Sequence, residues 1–352
     1  MADELRYGLI GCGEIAVQNC KGVLGADRSK LAATFDVKLE LAEDLAAQQE
    51  GAKAYAKQED LLAADDVDAV IISVPHFLHE PIALAALQAG KHVLCEKPIA
   101  VNVAAGQRMV DAAADAGLKL GVCFMQRWRG MCRVSRDIIQ AGLIGDLMGW
   151  VMAELGYKRE TYWTGGYSQR AKTDWRLHWK TAGGGYLVMN LIHNIDYFRY
   201  ICGQEVVAAK AFGGNYNSPE GVEVEDLVSA TVSLSGGGVG IITGASSVPG
   251  GGLGENRLIG TKGQIKIGGY GSKSIDVYLQ DGGQVEGQDV PAGEWTTIEL
   301  ADNDAGAART TMIGAYSEWV LDGKPFLSPG EDALKSLAVC ESIYRDAGLG
   351  SY

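Results

Sequence analysis

Three small residues near the start of the chain have the spacing of a phosphate-binding turn. Gly11, Gly13 and Ala16 follow the apolar run at residues 6–10 and precede a helical pattern. The first glycine permits a tight turn, the second lets a pyrophosphate approach the backbone, and the alanine allows a helix to pack closely on a strand. In this strand-to-helix setting the spacing predicts a dinucleotide-binding site.

An acidic residue, Asp36, follows the second apolar run at residues 31–35. A carboxylate at this point accepts hydrogen bonds from both hydroxyls of a ribose and repels a 2′-phosphate. Lys38 lies two residues later, and its charge opposes that repulsion. We therefore expect NAD as the cofactor, in preference to NADP.

Short apolar runs alternate with helical patterns over residues 1–125, as βαβ units around a parallel sheet require. The predicted strands are residues 6–10, 31–35, 69–74, 92–95 and 119–123. The predicted helices include residues 39–49, 80–89 and 103–116. This part of the chain is expected to be an α/β Rossmann domain, with its ligand at the carboxyl edge of the sheet.

After residue 125 the pattern favours an α+β domain with a mainly antiparallel sheet flanked by helices. The predicted strands, separated by glycine turns, are residues 147–157, 206–213, 227–234, 238–244 and 264–268. The predicted helices are residues 134–141, 186–202, 311–321 and 331–346. The boundary is expected near residue 125, without a long linker.

Chain length and net charge indicate how many domains to expect and which partners are disfavoured. The chain has 352 residues, more than one hydrophobic core usually serves, so two domains are expected. Its net charge of -13 repels nucleic-acid phosphates. Because it begins without a leader-like segment and its apolar runs are too short to cross a bilayer, we expect a cytoplasmic protein with no membrane partner.

The seven cysteines are scattered without the paired C-x-x-C spacing of zinc or redox sites. Free cysteines commonly behave as small buried apolar residues. We therefore expect reduced, mostly buried thiols and no metal site.

Four segments resemble those of the Gfo/Idh/MocA oxidoreductases, the family of glucose-fructose oxidoreductase and inositol dehydrogenase. They are GLIGCGEIA at residues 8–16, SVPHFLH at 73–79, CEKPIA at 95–100 and AGGGYLVMNLIHNID at 182–196. Their order and separations also fit. The resemblance implies a Rossmann domain, residues 1–125, joined to an open-faced sheet domain, residues 126–352, that binds substrate and forms dimers or tetramers, with the active site between the two.

The same resemblance implies which residues act on a substrate. Lys97 matches the lysine of the family's E-K-P motif, beside nicotinamide and substrate, and a cis bond is expected before Pro98. His193 matches the substrate-facing histidine that assists proton transfer, and Asp196 shares its motif. Members similar to inositol dehydrogenase carry Asp four residues before this histidine, whereas this chain has Met189, so myo-inositol is not implied as the substrate.

The helix predicted over residues 186–202 has an apolar stripe and, opposite it, a polar and aromatic face with His193 near its centre. Such a face suits a cleft lined by hydrogen-bonding groups. For an arbitrary amphipathic helix, a solvated face is the alternative. At three residues' distance, Asp196 is expected to reach His193 or a substrate hydroxyl.

The remaining candidates form two groups. Residues expected to contact substrate are Arg127, Trp163, Trp175, Arg176, Asn190 and Asp196. Residues expected to contact the cofactor are Gly11, Gly13, Glu14, Ile15, Asp36, Ser73, Pro75, His76, His79, Glu96 and Lys97. The aromatic side chains would pack on the C–H faces of sugar rings, or alternatively fill a core or subunit contact.

The reaction expected from these residues is NAD(H)-dependent hydride transfer at a secondary hydroxyl or ketone of a sugar, sugar derivative or cyclitol, with Lys97 and His193 in proton transfer. Two other functions remain open. A glycosidase or glycoside 3-oxidase would use tightly held NAD for transient oxidation at C3. A non-catalytic NAD-binding sensor would need neither Lys97 nor His193.

Overall fold

Short apolar runs of the N-terminal part form a parallel six-stranded sheet. Its strands are Leu5–Ile10 (β1), Ser29–Phe35 (β2), Lys53–Tyr55 (β3), Ala69–Ile72 (β4), His92–Cys95 (β5) and Leu120–Val122 (β6). They lie in the order β3-β2-β1-β4-β5-β6, all parallel. All four residues of β4 are buried, as expected for a central strand that is covered on both faces.

Helices connect these strands. They are Glu14–Gly25 (α1), Leu39–Ala46 (α2), Gln58–Leu62 (α3), His79–Gln88 (α4) and Val103–Ala116 (α5). Asn102 begins α5 by accepting a hydrogen bond from the backbone of Ala105, and Gly117 ends it in the left-handed conformation. The computed structural model describes residues 3–269 and 271–350.

The chain divides by contacts into two units, and the first is not continuous in sequence. It contains residues 1–125, 160–183 and 309–337, whereas the second contains residues 126–159, 184–308 and 338–352. The domain boundary expected at residue 125 does not anticipate that residues 160–183 and 309–337 belong to the first unit. Two helices lie wholly within these later segments, Glu160–Gly165 (α7) and Trp179–Ala182 (α8). Two others, Ala305–Asp322 (α10) and Gly330–Asp346 (α11), contain residues of both units.

An eight-stranded sheet forms the framework of the second unit. Its strands are Leu147–Leu155 (β7), Val206–Gly214 (β8), Leu227–Leu234 (β9), Val239–Ala245 (β10), Leu253–Gly260 (β11), Gly263–Ile267 (β12), Ser274–Leu279 (β13) and Trp295–Glu299 (β16). Their order is β16-β13-β12-β11-β7-β10-β9-β8, and only the β7–β10 pair among them is parallel. Gly283–Val285 (β14) and Gln288–Val290 (β15) form a separate hairpin.

One face of the eight-stranded sheet packs against helices. Gly130–Gln140 (α6) packs against Ile192–Cys202 (α9), and the ring of Trp150 on β7 meets Phe198 on α9 edge-on at 5.2 Å. Both side chains are almost fully buried. The predicted combination of an α/β Rossmann part with an α+β, mainly antiparallel part is therefore confirmed.

Across the described ranges, no helix has both the length and the apolar content needed to cross a membrane.

Candidate functional site

The glycine turn leads from β1 into α1. Gly11 has a φ of 86°, and a Cβ there would lie 2.6 Å from the carbonyl oxygen of Ser73, so only glycine fits. Gly13 differs, because a Cβ there would meet only Ala171, at an ordinary 3.7 Å. The protein itself thus leaves open space at Gly13, and a pyrophosphate close to the backbone would explain the glycine. Ile15, in the first turn of α1, is partly exposed.

Asp36 lies directly after β2 and is anchored by its own loop. One carboxylate oxygen accepts a hydrogen bond from the backbone of Cys12 at 2.7 Å, and the other accepts one from the backbone of Lys38 at 2.9 Å. Each oxygen keeps a further lone pair for a hydroxyl donor. The side chain is only partly buried, so the geometry fits the predicted contact with ribose.

Glu14 holds a later segment of the same unit. Its carboxylate accepts hydrogen bonds from the backbone N–H groups of Tyr167 at 3.0 Å and Ser168 at 2.8 Å. A residue predicted to contact the cofactor therefore also fixes residues 166–168 beside the glycine turn.

Arg170 strengthens this attachment, and the sequence did not point to it. Its guanidinium donates to the carbonyl of Cys12 at 2.9 Å and pairs with Asp44 at 2.6 Å. No motif surrounds Arg170, and its partners are distant in sequence, so spacing alone gives no signal for it.

Lys97 lies just after β5, and the residue before it, Glu96, belongs to a buried cluster of polar side chains. The Glu96 carboxylate accepts hydrogen bonds from Asn19 at 3.0 Å and from Arg309 at 2.8 Å, and its second oxygen lies 3.3 Å from the backbone nitrogen of Lys97. Asn19 also donates to the Ser73 hydroxyl at 2.9 Å. The cluster joins the carboxyl ends of β4 and β5, where ligands bind in parallel sheets. Asn19 and Arg309 were not among the predicted site residues.

His79 fastens the loop after Lys97. Its ring nitrogens lie 2.8 Å from the carbonyl of Pro98 and 3.0 Å from the carbonyl of Val74, and the side chain is fully buried. Burial lowers the pKa of His79, and the hydrogen bonds to the carbonyls of Pro98 and Val74 oppose this shift because they favour the charged ring. The peptide bond between Lys97 and Pro98 is cis, as expected.

His76 is also buried, after Pro75, which is half-buried. Its Nδ1 donates to the carbonyl of Ala182 at 2.7 Å, and its ring lies 4.3 Å from the ring of Trp175. Burial lowers the pKa of His76 well below its ordinary value, so it is a neutral, packed side chain at pH 7.

Trp163, Trp175 and Arg176 belong to the first unit. They precede the glycine triplet at residues 183–185. The guanidinium of Arg176 lies 4.6 Å from the ring of Trp175 and 5.2 Å from that of Tyr162. Trp175 and Arg176 are half-buried, whereas Trp163 is 2% exposed. Trp163 therefore fills a core, and the other two keep surface that a ligand can contact.

The predicted helix over residues 186–202 begins with a π-helical turn. Leu187–Leu191 is π-helical and continues directly into α9. Such turns are frequent at functional sites because they shift the phase of the side chains. Asn190 and His193 are partly exposed, whereas Met189 is buried.

Arg127 and Asp196, both predicted substrate contacts, bind each other within the second unit. Nε and Nη2 of Arg127 donate to the two Asp196 oxygens at 2.8 and 2.7 Å, and the side chains are 2% and 0% exposed. Arg127 also packs on the Tyr200 ring at 5.0 Å. Because the Arg127 and Asp196 side chains are both buried, neither presents surface that a ligand could contact.

Glu225 holds the start of the π-helical turn. Its carboxylate accepts hydrogen bonds from the backbone of Gly185 at 2.6 Å, the backbone of Leu187 at 2.9 Å and the Tyr344 hydroxyl at 2.8 Å. Burial raises the pKa of Glu225 to about 7, against the effect of these hydrogen bonds. Gly184 has a φ of 146° and no room for a Cβ beside Tyr344, which accounts for one glycine of the triplet.

Among residues 3–269 and 271–350, no group of three or more His, Cys, Asp and Glu side chains is arranged to hold a metal ion.

Comparison with known proteins agrees with this geometry. Residues 5–124 match a family model described as an oxidoreductase family with an NAD-binding Rossmann fold, and residues 133–266 match the GFO/IDH/MocA C-terminal domain. An inositol 2-dehydrogenase from Saccharopolyspora erythraea is 27% identical over 90% of this chain and 89% of its own. A 1,5-anhydro-D-fructose reductase from Ensifer adhaerens is 31% identical, but the match covers 66% of each chain.

A solved structure is similar along nearly the whole chain. It is the aldose-aldose oxidoreductase from Caulobacter crescentus complexed with glycerol, with a TM-score of 0.81 and 26% identity over 98% of both chains. The glycine turn, the E-K-P segment and both family models agree, and this chain belongs to the Gfo/Idh/MocA family of NAD-binding oxidoreductases.

Proposed function

We propose that this protein transfers hydride between the nicotinamide of NAD(H) and a secondary hydroxyl or ketone carbon of a sugar, sugar derivative or cyclitol. The observation that carries the proposal is the position of Lys97. It follows β5 at the carboxyl edge of the Rossmann sheet, and Glu96 holds the start of its segment. The named activities of the similar inositol dehydrogenase and anhydrofructose reductase support a polyhydroxylated substrate.

The proposed roles of the side chains follow from their chemistry. When bound, NAD accepts the hydride from the carbon that bears the hydroxyl. Either Lys97 or His193 takes up the single hydroxyl proton as the carbonyl group forms, and returns it in the reverse direction. Residues 1–125 supply the cofactor contacts and residues 126–352 the substrate contacts. Asn190, Trp175 and Arg176 remain candidates for binding substrate, with Arg127 and Asp196 supporting His193.

The test is a panel of sugars, cyclitols and keto sugars, assayed with NAD and NADH by absorbance of the reduced nicotinamide. We expect turnover with at least one class of substrate. Derivatives of the same compounds that have no free secondary hydroxyl or ketone should not be turned over. Turnover that is unchanged in the Lys97→Met variant would contradict the proposed proton transfer.

A glycosidase or glycoside 3-oxidase is the second candidate, favoured by the segment that Glu14 and Arg170 fix on the glycine turn. A cofactor covered by this segment would exchange slowly, and in the redox-neutral glycosidase the hydride would return to the same substrate. Release of aryl alcohol from an aryl glycoside without added NAD distinguishes this activity from a dehydrogenase, which needs stoichiometric cofactor.

We further propose a homodimer or homotetramer formed through the open face of the eight-stranded sheet. Strand register places Phe212 and Thr243 on the same face of the sheet. Ile241 lies two residues from Thr243 on the same strand, so its side chain is on that face as well. Phe212 is 84% exposed, and Ile241 and Val239 are 45% and 54% exposed. Exposed apolar side chains that share one face favour burial against a second copy. Ile241→Lys is expected to shift the mass seen by light scattering to that of a monomer, and an unchanged mass would exclude this interface.

The cysteines support a cytoplasmic location within this proposal. All seven are free thiols, and six are buried. This is the state maintained by a reducing compartment.

A further inference from the structure

Arg309 and Glu96 form a buried ion pair that no motif in the sequence indicates. Nη1 of Arg309 lies 2.8 Å from Oε1 of Glu96, although the residues are 213 positions apart, and their side chains are 9% and 7% exposed. Arg309 also donates to the amide oxygen of Asn19, whose nitrogen donates to the same Glu96 oxygen. The carboxylate is therefore fixed by a cation and a neutral amide together.

Burial disfavours the charged forms of three titratable groups near Glu96. Burial lowers the pKa of His79, and it raises the pKa of both the Cys95 and Cys123 thiols well above their ordinary value. Arg309 supplies a positive charge that is hydrogen-bonded directly to Glu96. Lys97, whose backbone nitrogen faces the second carboxylate oxygen, follows in the chain.

We propose that Arg309 sets the relative affinity of the Rossmann unit for oxidised and reduced cofactor, by balancing the charge of Glu96. The inference rests on the proposed function, in which Glu96 and Lys97 lie beside the nicotinamide. That ring carries a positive charge in NAD+ and none in NADH. In a buried setting with a low dielectric constant, an unbalanced carboxylate would stabilise the oxidised ring, and an unbalanced guanidinium would destabilise it. The paired side chains do neither.

A double-variant experiment tests the charge balance without catalysis. The dissociation constants of NAD+ and NADH are measured for the full-length protein and for Arg309→Met, Glu96→Gln and the combined variant, by calorimetry and by NADH fluorescence. Arg309→Met is expected to lower the ratio Kd(NAD+)/Kd(NADH) by at least about fivefold, and Glu96→Gln to raise it by at least about fivefold. The combined variant should return to within about twofold of the original ratio, because both charges are gone.

Arg6→Met is the matched control. Arg6 donates two bonds to Asp68, at 2.8 and 2.7 Å, near the amino end of β1 in the same sheet. Losing that pair should leave the ratio unchanged. Arg309→Lys, which keeps the charge but not the planar donor group, should also stay close to the original ratio.

The proposal is overturned if both single variants move the ratio in the same direction, or if neither moves it. If Arg309→Met fails to fold, the combined variant is compared with Glu96→Gln instead. These two proteins differ only in the loss of Arg309, so the combined variant must have the lower Kd(NAD+)/Kd(NADH) ratio. Failure of the proposed function is seen separately, as normal turnover of Lys97→Met, because the binding ratio requires no turnover.

Discussion

Arg127 and Asp196 lie face to face in a buried, two-bond ion pair, with N–O distances of 2.8 and 2.7 Å. Asp196 is on α9 one turn after His193, so the pair fixes the helix from which His193 projects. The Asp196 carboxylate therefore binds the Arg127 guanidinium.

Breaking this pair is expected to be costly. Asp196→Asn removes the charge opposite Arg127 and should lower the free energy of unfolding by about 3–5 kcal/mol, measured by denaturant titration. Arg133→Gln is the control, because its pair with Glu286 is exposed, and it should cost less than about 1 kcal/mol. A similar small loss for Asp196→Asn would show that the buried pair contributes little.

Glu225 should make stability depend on pH near neutrality. Its pKa of about 7 in the folded protein lies above the ordinary value of 4.5, so folding favours the protonated form. The stability that this group contributes is complete below pH 4.5 and is lost as the pH rises through 7.

Thermal melting between pH 5 and pH 8 checks this sign. Glu225→Gln should lose less melting temperature over that interval than the unaltered protein, because glutamine does not ionise. Glu286→Gln is the control, since the hydrogen bond from Arg133 lowers the pKa of Glu286 and the side chain titrates below pH 5. Parallel curves for the original protein and Glu225→Gln would refute the assignment.

Asp36 is expected to set the preference for NAD over NADP. Asp36→Ala should weaken that preference by removing repulsion of the 2′-phosphate, but it also removes acceptors for Cys12 and Lys38. Asp36→Asn retains one acceptor without the charge, so a similar change in both variants would identify charge as the cause. Tighter binding of NADP than NAD by the unaltered protein, in direct titrations, would exclude this role.

Lys97 and His193 should affect turnover more than folding. Lys97→Met is expected to lower kcat by about 10²- to 10⁴-fold, the usual range for general acid–base catalysis, with NAD affinity and melting temperature nearly unchanged. His193→Asn should lower kcat comparably if His193 shares the proton and less if it only orients the substrate. Loss of folding in the Lys97 variant would instead identify a structural lysine.

Regular elements of the Rossmann part were predictable because their core is continuous and apolar. The strand at residues 92–95 and the helix at residues 103–116 were predicted with the bounds they have in the structure. Strand β3 was missed, since it has three residues and none is buried. Short edge strands carry too little apolar pattern to be recognised.

The second sheet was predicted less completely, for a physical reason. Strands β11, β13 and β16 were missed. In β11 the partly exposed positions carry Glu255 and Arg257, which bind each other at 2.6 Å, and Gly254 and Gly260 lie near its two ends. The π-helical turn before α9 was also missed, because hydrophobic periodicity does not distinguish it from an α-helical turn. The partners of Glu96 and Glu14 come from distant segments, which spacing in one sequence cannot reveal.

The discontinuous first unit has a consequence for anyone who shortens or recombines this chain. Arg309 enters that unit from α10, so a fragment ending at residue 125 would retain Glu96 and lose its counter-ion, although the glycine turn and all six strands would be intact. A chimera joined at the same point would inherit whatever residue its donor carries in place of Arg309. Exchanging halves between relatives therefore replaces the counter-ion of Glu96, even when none of the first 125 residues is altered.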